Sequence, residues 1–186
     1  VEIGFMPQAL SSRPEPYRNS ETYRLDGGCF YPPKDYERWA ELVRQWVRHS
    51  AARYPDVERQ WLWELWNEPD LASFWDGTVA DYARLLKVGY LAAKQADANA
   101  QIIFGGLANV SQNAEYYRAV MNVFSGDANA PTFSYYHDIF ATHNYHYAKM
   151  SWQVVFRASQ VMAGFGFDKP IWLNESGVPV WDDYPG

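Results

Sequence analysis

The sequence predicts an α/β domain with parallel strands, and among the parallel architectures it favours a (β/α)8, or TIM, barrel. Three observations carry that expectation. Short apolar runs alternate with segments whose apolar residues recur at helical spacing, in the order β-α-β-α-β-α-β-α-β. Glu68, Asn109, His143 and Glu175 fall at or near strand ends, where barrels carry their chemistry. Finally, Gly105-Gly106 and Gly164-Phe165-Gly166 do not complete the G-x-G-x-x-G turn with which a doubly wound sheet holds a nucleotide.

Each element has a local reason. Val1 to Phe5 is strand-like and stops at Met6-Pro7. The polar stretch from Gln8 to Pro33 is longer than ordinary connections and reads as a functional, lid-like loop. Pro33 introduces a helix over Lys34 to Tyr54, with Tyr36, Trp39, Leu42, Val43, Trp46 and Val47 forming one apolar stripe. Trp61 to Asn67 is the second strand. Pro69 has no N–H to give a ladder, so the strand ends there. Thr78 to Asp97 is a helix presenting Tyr82, Leu85, Leu86, Gly89, Tyr90 and Ala93. Gln101 to Phe104 is a short strand and Asn113 to Phe124 a helix. Asp138 to Thr142 is a strand that runs into His143-Asn144-Tyr145-His146-Tyr147. Ser151 to Gly164 is a helix closed by Gly164 and Gly166, and Ile171 to Asn174 is the last strand.

Composition narrows the function. The chain has 186 residues, 48% of them apolar and 20% charged, which suits one globular domain. No apolar run is long enough for a membrane span. A net charge of -6 disfavours nucleic acid, whose phosphates need a basic surface. Cys29 is the only cysteine, so no intrachain disulfide is possible. Val1 follows no charged leader segment, so no signal peptide is expected, and secreted and cytoplasmic locations stay open. The oligomeric state is not set by the sequence. Nine Trp, 14 Tyr and 10 Phe are enough both to fill a core and to line a cleft where sugar rings stack.

The run Trp63-Glu64-Leu65-Trp66-Asn67-Glu68-Pro69-Asp70 ends a buried strand on a carboxylate. Glu175 of Ile171-Trp172-Leu173-Asn174-Glu175-Ser176-Gly177 repeats that dress far downstream. Two such carboxylates suit hydrolysis of a glycoside, where one protonates the leaving oxygen and the other attacks the anomeric carbon or activates water. Each alone also reads as a salt-bridge partner. Asn67 fits either a hydrogen bond to a sugar hydroxyl or a plain turn. Glu64, four residues before Glu68, reads as a structural carboxylate that burial obliges to find partners. His143 suits holding a substrate hydroxyl or a catalytic Glu, and Tyr145 suits donating a hydrogen bond to Glu175. Trp181 joins the candidate sugar-binding residues. No Cys or carboxylate completes a ligand set at suitable spacing around His143 and His146, so no metal and no cofactor is expected.

Several of these motifs together are similar to glycoside hydrolase family 39. They are Val1-Glu2-Ile3-Gly4-Phe5-Met6-Pro7-Gln8-Ala9-Leu10, Tyr31-Pro32-Pro33-Lys34-Asp35-Tyr36 with Trp39, and Trp66-Asn67-Glu68-Pro69-Asp70-Leu71 with Phe74-Trp75. The resemblance is specific over about residues 1–110. That family holds β-xylosidases and α-L-iduronidases within the clan A (β/α)8 barrels. The resemblance implies that the five strands are barrel strands 3 to 7 and that residues 1–186 form part of a (β/α)8 catalytic domain. It implies Glu68 as acid/base, Glu175 as nucleophile, and a retaining hydrolase that cleaves β-linked, xylosidic or related glycosides by double displacement in polysaccharide degradation. The expected partner is an oligosaccharide or glycoside. The sequence departs from the family's β-xylosidases at Asn174-Glu175-Ser176, where they have Thr-Glu-Trp, and strands 1, 2 and 8 have no counterpart. The alternative is a catalytically inactive carbohydrate-binding protein on the same scaffold.

Overall fold

The computed structural model describes residues 1–13, 29–54, 61–108 and 114–177. Among the described residues five strands and four helices alternate: β1 (Glu2–Ile3), α1 (Tyr36–Arg53), β2 (Leu62–Leu65), α2 (Val79–Ala96), β3 (Gln101–Phe104), α3 (Glu115–Ser125), β4 (Phe140–Asn144), α4 (Met150–Gly164) and β5 (Ile171–Ser176). A 3₁₀ turn at Ser134–Tyr136 precedes β4. Trp181 and Asn109 lie outside the described residues, as does much of the long polar loop after β1.

Among the described residues the paired strands are parallel and their spatial order follows the sequence. Glu2 sits beside Glu64, Leu62 beside Gln101, and Phe140 beside Ile171. Between β3 and β4 the ladder thins to single parallel bridges, Ile103 to Ile139 and Leu107 to Thr142. At the start of β3 the Asp138 carboxylate takes the Ile102 N–H at 2.8 Å and pairs with Lys94 at 2.8 Å. Nowhere among the described residues does strand order reverse, so the switch point of a doubly wound sheet is missing there.

The starts of α1 and α2 follow from side-chain chemistry. Asp35, rather than Pro33, caps α1, accepting from Glu37 and Arg38 N–H. Thr78 and Asp81 form a reciprocal capping box on α2. Gly166, at φ +76°, turns the chain out of α4 in the left-handed region that favours glycine. The helices cover one face of the strands. Trp39, Val43 and Val47 of α1 are buried against α2, and the Trp39 indole N–H donates to the Leu85 carbonyl at 3.1 Å. Trp46, expected in that stripe, is instead 45% exposed; the buried stripe runs through Ala40. Trp63, Leu65, Ile102, Phe104 and Phe140 point into this helix-covered core, as strand alternation requires.

The opposite face of the sheet is built in layers. Leu62, Ile103, Ile139 and Ala141 pack together at the base. Glu64 lies one residue pair further along β2, and beyond it the chain ends of β2, β4 and β5 bring their polar residues together. Strand alternation therefore separates a large helix-facing core from a narrow inner layer topped by carboxylates.

Candidate active site

The strand expected over Trp61 to Asn67, with Glu68 at its tip, is shorter than that span. The strand stops at Leu65, and the chain then bends through Trp66 at φ +87° and Glu68 at φ +42°. Such conformations cost of order 1–3 kcal/mol each in non-glycine residues. Packing and hydrogen bonds hold them. The Trp66 indole is buried edge-on to Trp75 at 5.0 Å and donates to the Phe74 carbonyl at 2.9 Å. Trp66 N–H donates to Ile3 and Glu68 N–H to Gly106, at 3.1 and 3.0 Å. The Tyr82 hydroxyl, fully buried, donates to the Leu65 carbonyl at 3.2 Å and accepts from Gly105 N–H at 2.9 Å. Asn67 is half-buried in the same bend.

His143 joins the two carboxylates. Its ring is 2% exposed, with Nδ1 2.8 Å from Glu68 Oε1 and Nε2 3.6 Å from Glu175 Oε2. Burial alone would lower the imidazole pKa. The hydrogen bond to Glu68 and the charges of Glu175, Glu68 and Glu64 outweigh it and raise the pKa above the ordinary value. Gly106 makes room for the ring: a Cβ there would lie 2.1 Å from Nε2.

Glu175 is placed by a bulge. Thr142 pairs with Leu173 and His143 with Glu175, which leaves Asn174 without a partner on β4. A bulge re-aims side chains, and Asn174 and Glu175 both reach the site. The Tyr145 hydroxyl donates to Glu175 Oε1 at 2.6 Å, and this bond raises the Tyr145 pKa. Asn144 shapes the turn that carries Tyr145: its amide donates to the Tyr147 carbonyl and the Ser151 hydroxyl, and its Oδ1 accepts His146 N–H.

Glu68, His143 and Glu175 each place one potential ligand atom within 4.8 Å of the others. Sequence spacing around His143 and His146 offered no completing carboxylate; the carboxylates arrive instead from strands distant in sequence. The two ring nitrogens face one carboxylate each, an arrangement that a proton on the imidazole satisfies. His146 is exposed and outside this group.

Beneath them Glu64 is 8% exposed. Its Oε1 accepts Gly106 N–H at 2.7 Å and its Oε2 accepts the Asn174 amide at 2.9 Å. Burial raises its pKa, against the pull of those two donors. Glu2, which sequence reading passed over, faces the same side in register with Glu64; burial and the Glu175 charge raise its pKa. Its signal was a lone carboxylate inside the apolar run Val1 to Phe5. Gly106 was missed as well, since a glycine after a strand carries no chemistry of its own.

Residues 1–167 match the sequence pattern of the glycosyl hydrolases family 39. The chain belongs to that family. A beta-xylosidase of Caldicellulosiruptor saccharolyticus is 38% identical over 104 residues, which cover 55% of this chain and 20% of that protein. A beta-xylosidase of Geobacillus stearothermophilus is 39% identical over 104 residues, 55% of this chain and 19% of that protein. The match thus spans about a fifth of each of these relatives. Among solved structures, a GH39 beta-xylosidase from Caulobacter crescentus aligns at 26% identity and TM-score 0.66, over 97% of this chain and 37% of the other. The GH39 enzyme from Xanthomonas axonopodis pv. citri shares the fold at TM-score 0.73 and 23% identity, again over 97% and 37%. The family 39 match takes in Glu64, Glu68, His143 and Tyr145 but ends before β5, so Glu175 is brought to the site by geometry alone.

Proposed function

We propose that this chain is part of the catalytic domain of a retaining family 39 glycoside hydrolase, covering strands 3 to 7 of a (β/α)8 barrel. Three features support the barrel. The strands lie in sequential parallel order, the helices cover one face, and the inner face is layered. β1 and β5 are then edges that the remaining strands cover. Among the described residues no helix is long and apolar enough to cross a membrane.

The observation that carries the function is the convergence of Glu68 and Glu175 about His143. An approach within 4.8 Å supports the short carboxyl separation of retaining enzymes, about 5–5.5 Å, over the roughly 6.5–9.5 Å that leaves room for an inverting water. Tyr145 holds Oε1 of Glu175, and Oε2, 3.6 Å from His143 Nε2, is the oxygen that attacks the anomeric carbon. His143 occupies Oε1 of Glu68 and leaves the other oxygen for the glycosidic oxygen. Glu68 protonates the leaving group, Glu175 forms the glycosyl-enzyme, and Glu68 then deprotonates the water that hydrolyses it. β-Linked xylosidic or related glycosides are the substrate class, with Asn67 and Trp181 as further sugar-contacting residues. With both carboxylates present and partnered, nothing among the described residues favours a binding-only protein.

The test uses the full-length enzyme. Glu175→Ala should abolish nearly all turnover of aryl β-glycosides, and added azide should restore part of it as a glycosyl azide. Undiminished turnover would overturn the assignment.

A further inference from the structure

We propose that Glu64 is a positioning residue, a brace across the inner face that sets the spacing between the strand bearing Glu68 and the strand bearing Glu175. The inference rests on the glycosidase reading above and assigns Glu64 no direct contact with substrate.

β2 and β5 are not neighbours; β3 and β4 lie between them. One carboxylate nevertheless reaches both sides of the site. Glu64 Oε1 accepts Gly106 N–H at 2.7 Å, and the carbonyl of that same Gly106 accepts the Glu68 N–H at 3.0 Å. Glu64 Oε2 accepts the Asn174 amide at 2.9 Å, and Asn174 is the bulged residue directly before Glu175. Gly106 also forms the floor under His143. Both oxygens of Glu64 are therefore tied, through one intervening residue, to the two groups proposed to do the chemistry.

The location argues against filler. Burial first, and then the like charge of Glu2, opposes the ionisation of Glu64, against the Gly106 and Asn174 donors and the His143 charge. A buried carboxylate in such company costs stability, and an apolar residue of similar volume would be the cheaper choice for packing alone. Its two acceptor oxygens hold the Gly106 N–H and the Asn174 amide N–H at once. Reacting groups misplaced by about 1 Å lose roughly 10²-fold in rate, so the brace acts on turnover more than on substrate affinity.

The experiment is a hydrogen-bond reversal in the full-length enzyme. Glu64→Gln keeps an acceptor for Gly106 N–H and meets the Asn174 amide N–H with its own, a clash that the Asn174 amide relieves by turning its oxygen over. Asn174→Asp turns acceptor against acceptor, which no rotation relieves. The double variant restores the bond with its direction reversed and leaves the local charge unchanged. Asn174→Asp is expected to lower kcat on an aryl β-xyloside about 10²-fold with KM moved far less, and the double variant should recover most of that loss. Wild-type kcat in Asn174→Asp, or a double variant no better than Asn174→Asp alone, would overturn the brace. A wild-type enzyme inactive on every aryl glycoside would overturn the glycosidase reading instead. The brace would then be read from Tm, which should fall in Asn174→Asp and recover in the double; a Tm pattern without recovery would overturn it.

Discussion

Gly106→Ala is the sharpest perturbation the site offers. The added Cβ would lie 2.1 Å from His143 Nε2, 2.8 Å from Cδ2 and 3.0 Å from Cε1. Ordinary contact needs roughly 3.5 Å, so the ring must retreat by about 1.4 Å. The ring is almost fully buried and anchored at 2.8 Å to Glu68, so the movement has to break that bond. A hydrogen bond involving a charged group is worth about 1.5–3 kcal/mol, or roughly 10- to 100-fold in rate. The roughly 10²-fold cost of a 1 Å misplacement gives a similar figure. We therefore expect kcat/KM on an aryl β-glycoside to fall about 10- to 100-fold while the circular dichroism spectrum is unchanged. Gly89→Ala is the matched control. Its Cβ would lie 2.7 Å from Leu65 Cδ1, in the helix-facing core and away from the carboxylates. It should lower stability by about 1–3 kcal/mol through overpacking with kcat kept. Wild-type kcat/KM in Gly106→Ala would refute the account of how His143 is seated.

Three further outcomes are expected. Tyr145→Phe removes the donor on Glu175 Oε1 and should lower kcat about tenfold with little change in Tm, because the ring is exposed; equal kcat in the two proteins would contradict the role. Tyr82→Phe strands the buried Leu65 carbonyl and Gly105 N–H, so chemical denaturation should report a loss of about 1–3 kcal/mol. The raised His143 pKa makes a stability contribution that is fully present below the ordinary histidine value and lost as pH rises through the folded-state value. Tm measured from pH 5 to 9 should show that decline, and His143→Gln should flatten it; an unchanged slope would remove the imidazolium from the site.

Much of the architecture was readable because its signals are local. Gln101–Phe104 is the strand the sequence predicts, and α1, α2, α3 and α4 fall within two residues of their expected ends. The apolar period and the caps Asp35 and Thr78 lie within a few residues of what they control. Trp46 misled because helical spacing marks a stripe but not its edge, and the buried edge runs through Ala40. The candidate site is legible in its residue types and not in its geometry. Glu68, Glu175, His143 and Tyr145 stand out as residue types at strand ends. Their joining depends on the bend at Trp66 and Glu68 and on the bulge at Asn174, neither of which has a sequence signature. The strand ends at Leu65, so the left-handed bend rather than strand alternation aims Glu68. Glu2 and Gly106 act through neighbours that lie far away along the chain, which no local pattern reveals.

The central claim is that Glu175 forms a covalent bond to the sugar while Glu68 transfers the proton. The most direct measurement is to incubate the full-length enzyme with a 2-deoxy-2-fluoro β-xyloside bearing a dinitrophenyl leaving group. Digestion and mass spectrometry then locate the trapped sugar. The account predicts one fluoroglycosyl label, on the carboxylate of Glu175. A label on any other residue, or active turnover with no trapped intermediate and an inverted product, would contradict it.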